Sequence, residues 1–550
     1  MSLSFNPAPF DLAAGLVQWV AVMAVVLVIS LLVAALASFL SAGLGGLARM
    51  FEILAELPKD LLRTSPRRVW ALTVHSFKEA YRRKTLWVFA VFALLFMFAG
   101  WFIPEIKESP EMEVKVYVSF VLRTITWLTI PVVLLLACWG LPEDIRARSL
   151  HTVVTKPVRR QEIVLGRILG FFGIGGLVLL AVSVVGYIWL LRQVPESVRG
   201  QLSARVPVFG ELRFLDREGL QGEEAGVNVG DEVMFRKFVE GNTKARAIWT
   251  FNNVDVASLL NGDLVLESSF QSFRTHKGVV SKELLGQFTL VNPSTNMRVA
   301  LRPFDNHEFR RNTYYVATQG QSSAGGKLPL RDQNNNEVDL TRDLIADGKI
   351  EIEVACLSPG QFLGMAPPDL FLRMPDRPFA VSYGKGVFTV ALLLLMITVL
   401  GVMSGCFAKG PVATMLTGFV FVVGRVAHEF LEELTTGRLR DNPKLEMKGR
   451  GVLDALMRIP THKSPVVEVE DTFFNRAIRE IDNVQLNILW GVKHIFPDFT
   501  RFDTAEYVAN SFDVPFRESL LPSLAATVGF CIPWILVGYF SLKVRELEAK

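Results

Sequence analysis

The 550 residues are 50% hydrophobic and 20% charged, with a mean hydropathy of +0.33. That is too apolar for a chain wholly in water and too charged for one wholly in a membrane, so the composition implies spans plus water-exposed domains. A formal net charge of only +4 argues against a nucleic-acid binder, which would show a strong basic face.

Leu12–Leu40 is the first of seven expected spans. It is too long for a signal-peptide core and lacks a basic leader. Arg49, Lys59, Arg63, Arg67 and Arg68 all follow it, which puts the N-terminus outside and the exit in the cytoplasm. Next, Pro66–Lys84 repeats Val69, Leu72, Thr73, Phe77 and Ala80 at three- and four-residue steps among basic residues. This spacing predicts an amphipathic helix in the headgroup layer; the plainer reading is a solvated helix before a span. The second span, Leu86–Ile103, carries Trp87 and Trp101 near its ends, as an interfacial belt does. Pro104–Phe120 is acid-rich and reads as an outside loop.

Two further spans, Thr124–Leu141 and about Ile168–Leu191, enclose the short basic stretch Leu141–Arg167. The positive-inside rule makes this connection cytoplasmic. A short, rigid, charged helix there, between two spans, can dock on an ATPase and pass on its motion. Glu143 and Asp144 suit the positive N-terminal end of such a helix and Pro157 its end, while Arg159, Arg160 and Arg167 are expected near anionic headgroups. The alternative is an ordinary positive-inside loop that binds nothing.

Arg192 to about Gly384 reads as a soluble β domain. Ala247–Phe251, Leu264–Phe270, Leu285–Val291, Met297–Leu301, Thr313–Thr318 and Lys349–Cys356 alternate or are β-branched and aromatic, with Gly, Asn, Asp and Pro between them. They suggest an antiparallel sandwich. Trp249, Phe251, Phe270, Phe273, Tyr314 and Tyr315 form either its core or an aromatic binding face. Gly360–Phe379, rich in proline, reads as a stiff strut by the membrane. Gly386–Ala408 and Pro411–His428 form a hairpin of spans; Arg425 and His428 near its end either snorkel to the interface or line a pathway. Thr472–Pro497 has helical spacing, and Ser519–Leu542, interrupted by Pro522 and Pro533, is the last span.

Enzyme signatures are absent. No GxxxxGK[ST] cradle, HExxH or GxSxG appears, and the Asp305, His307, Glu308 cluster reads as solvated surface rather than a metal site. Cys138, Cys406 and Cys531 lie in apolar runs, so Cys356 has no disulfide partner in its domain.

The helix Pro66–Lys84, the loop EDIRARSLHTVVTKPVRRQEIVLGR from Glu143, the turn SGCFAKGPVATML (Ser404–Leu416) and FPDFTRFDTAEYV (Phe496–Val508) together resemble an ABC-2-type transporter permease. The branch is that linked to multicopper-enzyme maturation and gliding-type systems. The likeness covers about residues 66–191 and 386–550. The resemblance implies a polytopic α-helical fold of six core spans. It also implies an elbow helix with Arg67, Arg68, Trp70, Lys78, Glu79 and Arg82. Coupling to a separate ATPase, which carries the ATP and magnesium, falls to Glu143, Asp144, Arg146, Arg148, Thr152, Thr155, Lys156, Pro157 and Arg160. A homodimer or a second permease subunit completes such a transporter. The first span and the mostly-β, sandwich-like insert are additions to that core.

The expected order is thus an extra N-terminal span (1–48), a cytoplasmic linker and elbow (49–85), and spans 86–191 with a coupling loop at 142–162. An extracytoplasmic β domain (192–384), a hairpin of spans (385–428), an extracytoplasmic helical segment (429–518) and a last span with cytoplasmic tail (519–550) follow. The chain is expected in the inner (cytoplasmic) membrane of a cell. Three functions compete: a transporter permease without its own ATPase, a membrane-anchored scaffold whose β domain recruits envelope components, and a membrane enzyme. The last lacks any acid–base constellation.

Overall fold

The computed structural model describes residues 10–82, 110–146, 159–194, 199, 202–221, 236–252, 254–256, 259, 263–274, 283–306, 311–316, 330–332, 334–437, 447, 449, 451–462, 467 and 472–548. They fall into a β unit, Ser203–Phe379, and a helical unit built from Ala8–Leu202, Ala380–Gly437 and Lys448–Lys550.

The helical unit comprises α1 (Leu12–Leu62), α2 (Pro66–Arg82), α3 (Pro110–Arg146), α4 (Arg160–Gln193) and α5 (Phe379–Phe407). After these come α6 (Gly410–Thr436), α7 (Val452–Thr461), α8 (Phe473–Ile495), α9 (Ala505–Ala509) and α10 (Leu521–Glu548). Among the described residues six helices are long and apolar enough to cross a membrane: Leu12–Leu36, Glu113–Glu143, Arg160–Gln193, Phe379–Phe407, Gly410–Thr436 and Phe516–Lys543. The chain is therefore a membrane protein with a separate β-sheet region. Six of the expected spans fall on these helices, and Leu86–Ile103 lies outside the described residues.

Glycines set the helix contacts. α3 and α4 run antiparallel, with Gly140 against the Phe171 ring, Gly175 against Val133 and Gly186 against Val121. α2 runs alongside α4 in the same direction: Gly166 meets Leu72, Gly170 meets Ser76 and the Thr73 carbonyl, and Gly173 meets Phe77. Small residues one turn apart let two backbones approach this closely. Of the stripe predicted for α2, Val69, Thr73 and Ala80 are buried in protein, and Leu72 and Phe77 are half-buried.

Several expected boundaries move. The acid-rich loop is helical from Pro110, and the sixth span continues past His428 to Thr436 through a π turn at Val423–Ala427. Apolar content sets where a span is read, but hydrogen-bonded helix continues beyond it.

The β unit has strands β1 (Ser203–Phe209), β2 (Glu211–Leu215), β3 (Lys237–Glu240), β4 (Arg246–Phe251), β5 (Val265–Ser268), β6 (Gln271–Arg274), β7 (Leu284–Val291) and β8 (Arg298–Ala300). It continues with β9 (Phe304–Asn306), β10 (Asn312–Tyr315), β11 (Leu330–Arg331), β12 (Glu337–Val338), β13 (Ile350–Cys356), β14 (Gln361–Met365) and β15 (Leu370–Pro378). Sheets of order β2-β4-β13-β7-β8 (with β9 also on β7), β1-β15-β5-β10, β3-β14-β6 and β11-β12 share one core. All their pairings are antiparallel. Trp249, Phe251, Phe270 and Tyr314 lie in that core, and Phe273 is exposed. The expected strut is instead β14 and β15, because Leu363, Met365, Leu370 and Leu372 are core residues and Pro367–Asp369 makes the tight turn between them.

Candidate functional site

The two ends of the expected coupling loop stand on different footings. Glu143, exposed, and Asp144 and Arg146 belong to the last turn of α3, not to the start of a loop helix. The helix runs on through Pro142, so both acids sit at a C-terminal end, where the helix dipole does not favour them. Arg148, Thr152, Thr155, Lys156 and Pro157 lie outside the described residues.

The other end is a charged junction. Glu162, with no exposed surface, sits in the first turn of α4. Its Oε1 accepts from the Ser65 N–H at 2.9 Å and from Arg68 Nε and Nη2 at 3.1 and 2.8 Å; Oε2 accepts from the Arg159 N–H at 3.0 Å. Arg159 Nη1 reaches Asp60 at 3.0 Å, and Tyr539 donates its hydroxyl to the other Asp60 oxygen at 2.6 Å. Gln161 donates to the Asp60 carbonyl, and Lys543 pairs with Glu56. One turn further on, Arg167 pairs with Glu79 and lies 5.7 Å from the Phe171 ring centroid. Four elements, α1, α2, α4 and α10, are thereby joined at the loop's foot.

Arg159 and Arg167 are consequently bound to protein carboxylates rather than left to headgroups. Arg160 opens α4, half-buried. Of the elbow residues, Arg68 and Glu79 enter this network, whereas Arg67, Trp70, Lys78 and Arg82 are exposed. Sequence reasoning does not single out Glu162, Asp60 or Tyr539: Glu162 is one of three acids in a basic loop, and Asp60 and Tyr539 reach it only through the tertiary fold.

A second polar cluster surrounds residues 496–515, an irregular segment between α8 and α10. Gly424 makes it possible. A Cβ there would stand 2.3 Å from the Pro497 carbonyl and 2.7 Å from Phe499. The π turn containing Gly424 releases its carbonyl, which accepts the Phe499 N–H at 3.1 Å. The remaining segment is held by side chains of the spans. The Thr389 and Thr504 hydroxyls lie 2.8 Å apart, Ser382 donates to the Phe512 carbonyl at 3.0 Å, and Ser523 donates to the Arg501 carbonyl at 3.1 Å. Thr389 lies roughly 15 Å along α5 at 1.5 Å per residue. Irregular backbone beside spans is tolerated where protein covers it and satisfies its polar groups, as here.

The candidate pathway residues meet carboxylates of this segment. Arg425 pairs with Asp503, and its Nη1 donates to the Phe499 carbonyl at 3.4 Å. His428 Nε2 lies 3.8 Å from Asp498, and its Nδ1 has no hydrogen-bond partner among the described residues. Asp498 also accepts from Arg501 at 2.8 Å and from the Thr500 N–H and hydroxyl at 3.0 and 2.6 Å. Burial opposes ionisation of Asp498, but the charges of His428 and Arg501 and these hydrogen bonds hold its carboxyl below the usual range. Lys385 donates to both oxygens of Asp513 at 2.7 Å and to the Val514 carbonyl at 3.0 Å. Charged groups beside spans are costly unless paired, and such pairs mark functional positions.

Among the described residues no group of three or more His, Cys, Asp or Glu is arranged for a metal. His307 and Glu308 lie outside the described residues. No family model matches the chain, and neither the curated proteins nor the solved structures yield a significant match.

Proposed function

We propose that this chain is the membrane-spanning permease subunit of an ATP-driven transporter of ABC-2 type, moving a substrate across or out of a cell's inner membrane. A separate ATPase, holding ATP and magnesium, hydrolyses the nucleotide; a second copy or a second permease completes the pore. The N-terminus lies outside, the C-terminus in the cytoplasm, and the β unit is an extracytoplasmic sandwich.

The observation that carries this reading is the junction at Glu162. A motor pressing on residues 147–158 pushes on α4, and the network of Glu162, Arg68, Arg159 and Asp60 links that helix to α1, α2 and α10. Force applied at one short loop is thus shared by several helices, as coupling from outside requires. The pairs Arg425–Asp503, His428–Asp498 and Lys385–Asp513 supply polar groups along the spans, which suits a pathway.

The test is affinity purification of the full chain in mild detergent, followed by mass spectrometry. The expected result is a stoichiometric ATPase with nucleotide-binding motifs, lost in the double variant Glu143→Lys/Asp144→Lys while the chain stays folded. Envelope proteins with no ATPase would overturn the reading in favour of a membrane-anchored scaffold.

A further inference from the structure

Helices α7 and α8 are built inside out. The residues they bury between them are polar or glycine. Asp482 of α8, 3% exposed, accepts the N–H groups of Leu453 and Asp454 at 3.1 and 2.9 Å and so caps the start of α7. Arg458, 7% exposed, pairs with Asp454 and donates to the Val467 carbonyl at 2.7 Å. Many of their apolar residues point outward, while Leu453, Ile478, Leu486, Leu489 and Val492 are half-buried. On α8, Phe473, Ile481, Val484, Ile488 and Ile495 are 52–88% exposed. At 100° per residue these five fall within one sector of roughly 80°, with Arg476, Asn483 and Asn487 on one flank, roughly 80–120° from its centre; Phe474 and Trp490, also exposed, lie outside that sector. On α7, Val452, Leu456 and Ile459 are likewise exposed.

Such a pair needs an apolar phase over its outer face, and its attachment identifies that phase. Phe496, the residue after α8, packs on Phe419 of α6, ring centroids 6.1 Å apart, and Phe499 packs on Phe421 at 5.3 Å. Phe419 itself belongs to an exposed apolar stripe of that span: Met415, Phe419, Val422, Val426 and Phe430. An exposed apolar stripe on a spanning helix is the surface that lipid covers. The apolar face of α8 therefore begins beside the exposed apolar stripe of α6.

We propose that α7 and α8 form a monotopic pair lying in the membrane interface, with lipid acyl chains covering the face of Val484 and Ile488 and headgroups meeting the Asn483 and Asn487 flank. The segment is then not a water-soluble domain. This inference rests on the chain being a membrane protein and is independent of the permease reading.

The test uses the full chain in phosphatidylcholine/phosphatidylglycerol vesicles, spin-labelled one position at a time at Val484→Cys, Ile488→Cys, Asn483→Cys and Asn487→Cys. Label on the native cysteines is subtracted with the unsubstituted chain. Collisions with oxygen, which concentrates in lipid, and with a water-soluble nickel chelate are then compared. Labels at 484 and 488 are expected to favour oxygen several-fold over those at 483 and 487. Nickel access at all four positions would overturn the proposal in favour of a solvated pair. Exclusion of both reagents from 484 and 488 would overturn it in favour of a second protein on that face, and oxygen preference at all four in favour of full immersion.

Discussion

Arg68 of α2 and Glu162 of α4 form a two-pronged pair, with Nη2 and Nε donating to the same carboxylate oxygen at 2.8 and 3.1 Å. Glu162 is completely buried, so its charge depends on these donors and on the Ser65 and Arg159 N–H groups. Glu162→Ala removes the acceptor shared by Ser65, Arg68 and the Arg159 N–H, which ties the start of α2 to the start of α4. Arg68 is 37% exposed and can reach water once Glu162 is gone, so the cost falls below that of breaking a fully buried pair, at about 1–3 kcal/mol. The variant is expected to melt several degrees lower in detergent, with Glu162→Gln between it and the parent. Equal melting temperatures for all three would mean that the junction does not hold α2.

The glycine contacts between α2 and α4 give a paired comparison. A Cβ at Gly170 would lie 2.5 Å from Ser76 Cβ and 3.0 Å from the Thr73 carbonyl, while one at Gly176 meets nothing within 4 Å. Gly170→Val must push α2 away, at an overpacking cost of about 1–3 kcal/mol. Gly176→Ala is expected to be neutral or slightly stabilising, since alanine is the better helix former. Limited proteolysis between α1 and α2 reads the difference. Matching digestion of the two variants would remove close packing as the reason for glycine at 170.

Acid should loosen the β unit at its β1–β15 edge. Asp376 is partly buried, which disfavours its charge, yet Arg373, bonded to it at 3.0 and 2.6 Å, with Ser203 and Arg205, holds its carboxyl below the usual range. A carboxylate with a depressed folded value contributes its stability above the unfolded value, about 3.9, and loses it as pH falls through the folded value. Because the pair is part-exposed, the loss is modest, about 1 kcal/mol. Hydrogen-exchange protection of Leu370–Pro378, corrected for intrinsic rates, should drop below pH 4 in the parent. Asp376→Asn should start lower and change less; a level profile in the parent would refute this.

How far the sequence reaches depends on how local the cause is. β4 and β13 are legible because Ala247–Phe251 and Lys349–Cys356 carry their β-branched and aromatic residues within the strand itself. β15 is misread because Pro375 and Pro378 suggest extended irregular chain. A register shift opposite Ala204 and Val206 lets this strand keep its pairing with β1. The candidate site divides in the same way. Arg425 and His428 stand out as charges within an apolar run, but their partners arrive from a segment that only the tertiary fold brings close. Asp503 is 78 positions from Arg425. Glu162 is hidden for another reason: its loop is read by net basic charge, and the one buried acid that organises the basic groups is outnumbered.

The Arg425–Asp503 pair gives the sharpest test of that tertiary arrangement. The two side chains are 33% and 29% exposed, so each is partly desolvated and each needs the other. Asp503→Asn strands the Arg425 charge beside Phe499, and Arg425→Met strands the carboxylate. Either single change is expected to cost about 1–3 kcal/mol, less than a fully buried pair because water reaches part of each group. Arg425→Met with Asp503→Leu removes both charges and should recover much of the loss, since an apolar pair in a low-dielectric site is often as stable as an ion pair. Melting temperatures of the four proteins form a double-mutant cycle. Strict additivity would mean that the two groups do not interact in the folded protein, and the irregular segment would then be held by Gly424, the threonine and serine contacts, and the Lys385–Asp513 and His428–Asp498 contacts.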